Sequence, residues 1–595
     1  MPPTMSTQPN LDPKLELELA KLGGNVPFNP VKAHFHHTWA NTFYSRPEYY
    51  FQPTSIPEIQ KIVTLARRCR KRIVVVGNGH SPSDLTCTSS WMINLDKFNK
   101  VLEVNVDSKP GVVRLESGIS LHDMNVNLAK SGYTMPNLGS IDEQSIAGAI
   151  STGTHGSSLD HGLLGQSITA LSLVLSNGHF VSCSATKNPS LFRAALCSLG
   201  ALGIIVEVTF QADPDFNIAW TQDLHDLEEV KALWTSTLWT THEYTRVWWL
   251  PYLKRAVFWR ASRTDAPVKP PKPSFYGGAF GYYTYHNLLA FAQYFPSLLP
   301  WVEWIIFGMQ YGFKPGNYSV SAVEPAREGL LMDCLYSQYV NEWAIPLSKG
   351  PEAIHRLGAW INGDEATARI PFSSKGVWVH CPIEVRVSDS NTPNRAGVRA
   401  YLDPSCLDSP TLYLNATLYR PYGRDPPCRA RYYEAFEWLM REMGGRPHWA
   451  KNFAYTDSSY INDVYADDMK DFMKVREECD PDGMFVGDWH QRNLKIKPLS
   501  AQSIAEKEKE DGSSRRKLGR KHGDGVLWVG ERAMQGMAQY EENENEKGVR
   551  AVGFESETDE SAARTPTTST SEESFDYMAK GEASVYSSAG DGITS

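Results

Sequence analysis

The chain has 595 residues, of which 41% are hydrophobic and 21% charged, and a formal net charge of −9. That length accommodates two or three domains, the composition makes most of the chain globular, and the negative balance argues against a nucleic-acid partner. Nine scattered cysteines, odd in number and without a Cys-x-x-Cys pair, point to buried thiols in a reducing compartment, with no disulfide framework and no metal centre.

Residues 1–34 read as an N-terminal extension. They are acidic and lack an apolar run, so they resemble neither a secretory signal nor a mitochondrial transit peptide. From Pro53 to Ala212 strands alternate with helices. Ser55 caps a helix in which Pro57 sits just inside and apolar residues recur every three or four positions. The run Ile73-Val74-Val75-Val76 is a buried strand, 112–117 another, and 120–131 a helix with Gly132 beyond its end. Asn177-Gly178 closes a hairpin, and 189–212 gives a helix, a glycine turn and a strand.

Three turns in this region are built of small residues. The first, GNGHSPSD at 77–84, follows the aliphatic strand. Its glycines let backbone approach a ligand closely, and bare amides there can cradle phosphate. Pro82 stands where a dinucleotide fingerprint needs its third glycine, and no Gly-Lys-Ser follows, so neither nucleotide motif is present. His80 reads locally either as a hydrogen-bonded loop histidine or as a functional one. The second turn, 137–165, is dense in Gly, Ser and Thr yet anchored by Ile141, Ile146 and Ile150. The third, SLGALGIIVEV at 198–208, returns a strand to the same place. Three such turns suit a cofactor with a diphosphate and a broad flat ring.

Residues 213–445 are rich in Trp and Tyr. The stretch 235–262 reads as alternating strands and 376–390 as another, giving a second domain of sheet and helices. Residues 287–313 read as two short apolar helical pieces broken at Pro296 and Pro300, either a buried element or a flap resting in a membrane surface with Trp301 and Trp304 at its edge. In PIEVRV, Glu384 and Arg386 share one face of a strand, which suits an ordinary ion pair or a pair of groups facing one ligand. RPHWAKNF, 446–453, lies near the end of the ordered chain. From Ala501 the composition turns charged and then Ser/Thr/Glu-rich, which predicts disorder.

The motifs VVVGNGHSPSD, GSIDEQSIAGAISTGTHG, LGALGIIVEVTF and HWAKNF resemble the vanillyl-alcohol-oxidase flavoprotein superfamily over roughly residues 35–495, and within it the sugar-1,4-lactone oxidases, the fungal arabinonolactone branch above all. The resemblance implies an α+β fold: a two-subdomain FAD-binding domain (35–215), a mixed sheet-plus-helices substrate or cap domain (216–498) whose HWAKNF segment returns to the flavin, and a disordered tail (499–595). It implies FAD joined covalently to His80. Val76, Gly77, Asn78, Gly79 and Ser81 would hold the diphosphate. Ser145, Gly148, Ser151, Thr152, Thr154 and His155 would line the dinucleotide, and Ile205 the adenine end. Glu384 and Arg386 would orient the lactone, Lys451 would stabilise the reduced ring, and Ser140 beside Gly139 would touch substrate. His448 is either a cofactor neighbour or a packing residue. Gly139, where plant-type dehydrogenases resemble an alanine, would leave room for O2, implying oxidation of D-arabinono-1,4-lactone and related aldonolactones to D-erythroascorbate with release of H2O2. The rival readings are a dehydrogenase passing electrons to cytochrome c, another FAD-linked sugar or alcohol oxidase of the superfamily, and a non-catalytic flavin- or membrane-binding module. The resemblance further implies mitochondrial membrane association, at the outer membrane or by peripheral attachment through 287–313.

Overall fold

The computed structural model describes residues 11–497, apart from 106–109, 274–277, 317–318, 333, 381 and 392–397, together with strand Val526–Trp528. That strand pairs with Phe43–Ser45; the rest of the expected tail lies outside the described residues.

A small parallel sheet sets Trp91–Asn94 between Tyr49–Phe51 and Ile73–Val76. Helix Ile56–Cys69 covers it. Ser55 Oγ accepts from the Glu58 amide at its start, and Ile59, Ile62, Val63, Leu65 and Ala66 are buried along one side. A larger antiparallel sheet runs in the order Phe180–Ser184, Ile168–Val174, Ile204–Pro214, Gly111–Glu116, Val101–Asn105. The hairpin at Asn177-Gly178 is present, with Gly178 at φ 82° and Val174 opposite Phe180.

The chain then enters an eight-stranded antiparallel sheet, in the order Ser319–Pro325, Asn217–Asp226, Arg255–Thr264, Tyr244–Leu250, Ile383–Ser388, Thr411–Tyr419, Gln338–Pro346, Arg446–Pro447. Helices Gly350–Ile361 and Arg429–Glu442 bury Leu357, Trp360, Phe436 and Leu439 in its core. The expected strands of 235–262 begin only at Tyr244. Before it lie helix Leu227–Leu233 and a run of turns, in which the Ser236, Thr240 and Thr241 hydroxyls bond carbonyls three or four residues back. The strand expected within 376–390 narrows to Ile383–Ser388. The apolar segment forms helices Ala279–Ala292 and Leu299–Tyr311. Pro296 lies in the short turn between them, whereas Pro300 sits in the first turn of the second helix, where a missing N–H costs nothing.

The C-terminal portion packs back on the first domain. Helix Ser458–Cys479 ends where Ser176 Oγ donates to the Cys479 carbonyl at 2.7 Å, and the Ile73 amide donates to the Met484 carbonyl at 2.8 Å. Arg72 pairs with Asp488 at 2.9 Å, and Arg492 with buried Asp84 at 2.7 Å. The strand before the glycine loop is therefore clamped from behind by residues some four hundred positions downstream.

Candidate active site

A cleft opens where the three small-residue turns converge. Val76, Gly77, Asn78, Gly79, His80 and Ser81 form one wall, Ser145, Gly148, Ser151 and Thr152 a second, and Ile205 with Leu199, Gly200 and Gly203 a third. The glycines are required by geometry. A Cβ on Gly77 would fall 1.9 Å from Ser145 Oγ, and Gly79 has φ +68°. Ser145 itself caps helix Ile146–Ser151, accepting from the Gly148 amide at 3.3 Å. The Asn78 side-chain amide donates to the Glu143 carbonyl, fixing the first loop against the second. His80 Nδ1 is a buried ring nitrogen with no hydrogen-bond partner, and burial draws the imidazole pKa down against the opposing Glu143 carboxylate. A cleft walled by the glycines, serines and threonines of three turns, open to close approach by a diphosphate and a flat ring, fits an FAD.

The second feature is a knot of charge on the eight-stranded sheet. In register, Trp248, Glu384, Asn415 and Glu342 form one row across four neighbouring strands, with Arg386, Tyr413 and Ala344 in the next row along. The alternation of strand side chains places Glu384, Arg386 and Glu342 on one face. Arg386 Nη2 donates to Glu342 Oε1, and its Nε lies 3.4 Å from Glu384 Oε2. Asn415 Nδ2 donates to Glu384 Oε2 at 3.3 Å. Lys451 Nζ approaches Glu342 Oε2 at 3.9 Å, and the His448 amide donates to the Glu342 carbonyl at 2.9 Å.

Burial alone would raise the Glu342 carboxyl, but the Arg386 guanidinium beside it holds it well below the ordinary range. Arg386 is correspondingly pushed up: burial opposes its charge, and Glu342 and Glu384 more than compensate. His155 and His448 are both lowered, burial first, so both are neutral near pH 7. His155 stacks on Tyr413 with ring centroids 3.5 Å apart, and its Nε2 lies 3.4 Å from Glu342 Oε1. Ligand atoms of His155, Glu342 and His448 lie within 4.8 Å of one another, the composition of a metal site. A cation there would have to displace the guanidinium already on that carboxylate.

Of the residues expected along the dinucleotide, Thr154 and His155 line a crevice with Gly139, Pro136, Leu138 and His161, and Thr154 Oγ1 donates to Oε1 of Gln144, a residue of the cleft wall, at 3.4 Å. His155 also stands in the charged knot. Ser140 is tied down by its carbonyl, which accepts from the Met332 amide at 2.8 Å. Ala450, which lines the cleft, stands between His448 and Lys451 in the chain and so connects the two features. Glu342 went unremarked in the sequence. Its signal is the Asn341-Glu342 pair inside the otherwise apolar Tyr339–Ile345 run, since a carboxylate in a buried strand needs a charged partner.

Residues 208–493 match the D-arabinono-1,4-lactone oxidase family and residues 47–184 the FAD-binding domain family. A Neurospora crassa protein is 50% identical over 549 residues, 89% of this chain and 98% of its own. The D-arabinono-1,4-lactone oxidase of Yarrowia lipolytica is 42% identical over 524 residues, 77% of this chain and 97% of its own. Cholesterol oxidase from Brevibacterium sterolicum superposes with a TM-score of 0.67 at 14% identity, over 79% of this chain and 98% of that one, which is a likeness of fold. With two motif-bearing regions matched in order and relatives covered almost end to end, the chain belongs to the D-arabinono-1,4-lactone oxidase family.

Proposed function

We propose that the protein oxidises D-arabinono-1,4-lactone, and related aldono-1,4-lactones, with FAD as cofactor and O2 as final acceptor, giving D-erythroascorbate and H2O2. The observation that carries this reading is the Arg386 guanidinium held between two carboxylates, with Lys451 on the same knot and Ala450 reaching the cofactor cleft. Bound FAD would accept a hydride from the carbinol carbon and pass two electrons to O2. The chain's own residues bind and polarise. Glu384 accepts from lactone hydroxyls, Arg386 donates to lactone oxygens, and Lys451 places positive charge where negative charge builds. Neutral His155 and His448 add ring nitrogens without adding charge. In the same reading His80 carries the cofactor covalently through Nδ1, the orphaned atom on the cleft wall.

The protein also works at a membrane surface in this proposal, with the mitochondrial outer membrane the surface the family resemblance points to. No helix among the described residues is long and apolar enough to span a bilayer. The helices Ala279–Ala292 and Leu299–Tyr311 bury Tyr285, Leu289, Val302 and Ile306 inward, yet their outer side is apolar as well. Phe280 is 74% exposed, Tyr294 66% and Trp301 64%, and Phe291, Phe295 and Met309 are exposed on the same two helices or the turn between them. Lone exposed apolar residues are ordinary, but this many along one short segment are not, and Trp and Tyr favour the headgroup boundary. The only Asp, Glu, Lys or Arg within 279–311 is Glu303, which is buried.

Anaerobic mixing of the purified holoenzyme with D-arabinono-1,4-lactone should bleach the flavin absorbance, and admitting O2 should restore it with one H2O2 per cycle. Bleaching that O2 fails to reverse, but oxidised cytochrome c does, would replace the oxidase reading with the dehydrogenase one.

A further inference from the structure

Arg246 lies on strand Tyr244–Leu250, beside the strand that carries Glu384 and Arg386. Val247 is opposite Val385 and Trp248 opposite Glu384, so the register continues with Arg246 on the row of Arg386 and on its face. The side chain is fully buried, at 1% exposure. Nη2 donates to the Leu330 carbonyl at 2.8 Å and to the Leu138 carbonyl at 3.4 Å. Nε and Nη1 reach no acceptor. Among the described residues no carboxylate lies within ion-pair distance of this guanidinium, whereas Arg386 has two.

Such a residue works against the fold. A buried charge with no carboxylate partner is costly even with the Trp259 ring 5.5 Å from its carbon, like charges on neighbouring strands repel, and an apolar side chain of similar volume would pack there without either penalty. Burial lowers the Arg246 pKa to about 10, Glu384 opposes that and Arg386 adds to it, so the group stays cationic at neutral pH. What it holds is specific. Leu138 leads directly into Gly139 and Ser140, and the Met332 amide, two residues beyond Leu330, donates to the Ser140 carbonyl at 2.8 Å. One guanidinium thus ties together both backbone segments that fix Ser140. Among the described residues, the cations Arg246, Arg386 and Lys451 stand around the carboxylates Glu342 and Glu384.

We propose that Arg246 is a positioning residue of the lactone site, fixing the Leu138–Ser140 backbone and adding a buried cation to the row of Arg386. That added cation suits the negative charge that a flavin ring in the cleft would gain on taking up hydride from the lactone. This inference rests on the flavin-dependent lactone reading above.

The test compares wild-type, Arg246→Met and Arg246→Lys holoenzymes in bound FAD, thermal midpoint, lactone kcat and KM, and the Kd for sulfite, whose adduct puts negative charge on the flavin and so reads the positive field of the chain. Arg246→Met should keep its FAD and melt at or above the wild-type temperature. Its sulfite Kd should rise about tenfold or more, and its kcat should fall by about the same factor with a smaller change in KM. Arg246→Lys should restore the sulfite Kd but only part of kcat, because an ammonium cannot bridge both carbonyls as a planar fork does. An Arg246→Met enzyme with wild-type sulfite Kd and kcat, or one whose only change is a lower melting temperature, overturns the proposal. If Arg246→Met does not fold, Arg246→Lys decides: a sulfite Kd near wild type with reduced kcat supports the role, and a tenfold weaker one overturns it. A wild-type holoenzyme that neither takes sulfite nor bleaches with lactone overturns the lactone reading itself, and this one with it.

Discussion

Glu342 holds Arg386 from two strands away. The guanidinium reaches across the Thr411–Tyr419 strand to a carboxylate that is wholly buried, and the same carboxylate faces His155 at 3.4 Å and Lys451 at 3.9 Å. Side chains from three separate motifs converge on one group. Replacing Glu342 with Ala leaves a buried guanidinium with only Glu384, which should destabilise the fold by about 3–5 kcal/mol. Glu342→Gln keeps the shape, so it should fold and hold FAD while lactone kcat/KM falls roughly 10²–10³-fold as Arg386 and Lys451 lose their orientation. The sign with pH follows from the lowered Glu342 pKa. A depressed carboxylate stabilises the fold above the ordinary carboxyl range and loses that contribution as pH falls through its folded value. Wild type should therefore lose melting temperature more steeply below about pH 4 than Glu342→Gln does. Parallel curves from pH 7 to pH 3 would show that Glu342 carries no such charge.

His80→Ala bears on cofactor attachment. The ring nitrogen it removes has no protein partner, while the glycines that shape the cleft are untouched. The variant should bind FAD without a covalent link. Acid precipitation should then leave yellow supernatant and a non-fluorescent protein band, and wild type should give the reverse. A wild-type band that is itself dark would mean the flavin is held by the cleft alone.

Much of this organisation can be read in the sequence because it is local. Gly77 and Gly79 follow an aliphatic strand, Ser55 and Ser120 stand ahead of periodic helices, and Asn177-Gly178 sits between two strands. Each is a short-range consequence of backbone sterics. Glu384 and Arg386 are legible as a pair for the same reason, since two residues on one strand share a face. Glu342 and Arg246 are not. Their meaning comes from register between strands far apart in sequence, and a lone charge in a Trp- and Tyr-rich strand gives no sign of which strand will lie beside it. His155 is expected along the dinucleotide from its neighbours in the chain; its stack on Tyr413 and its approach to Glu342 come from distant strands and have no local sign. The strands expected in 235–243 failed because hydroxyls of Ser and Thr compete for backbone carbonyls.

Gly139→Ala separates the two halves of the proposed reaction. A Cβ there would meet Thr154 Cγ2 at 3.4 Å and the His155 carbonyl at 3.6 Å, ordinary contacts, so the fold should accept the methyl without strain. Anaerobic reduction by lactone should be within about twofold of wild type, while reoxidation by O2 slows roughly tenfold or more. Equal slowing of both steps would place the effect on substrate binding, and no change in either would remove Gly139 from any account of oxygen access.

The apolar helices make their own prediction through Glu303. Its carboxyl is buried between them and the sheet, accepts from the Leu253 amide at 3.2 Å, and is raised by burial to about 8. The protonated form is the one the fold prefers. Its contribution is therefore complete below the ordinary Glu value of about 4.3 and is lost as pH rises toward 8. Glu303→Gln, neutral throughout, should melt higher than wild type at pH 8.5 and no higher at pH 4. Liposome binding should be unchanged at neutral pH, because the exposed Phe280, Tyr294 and Trp301 are intact. Trp301→Glu with Phe280→Glu should do the opposite, leaving the melting curve in place and reducing co-sedimentation with anionic vesicles about tenfold or more. Vesicle binding that survives both glutamates would move the membrane contact away from these two helices.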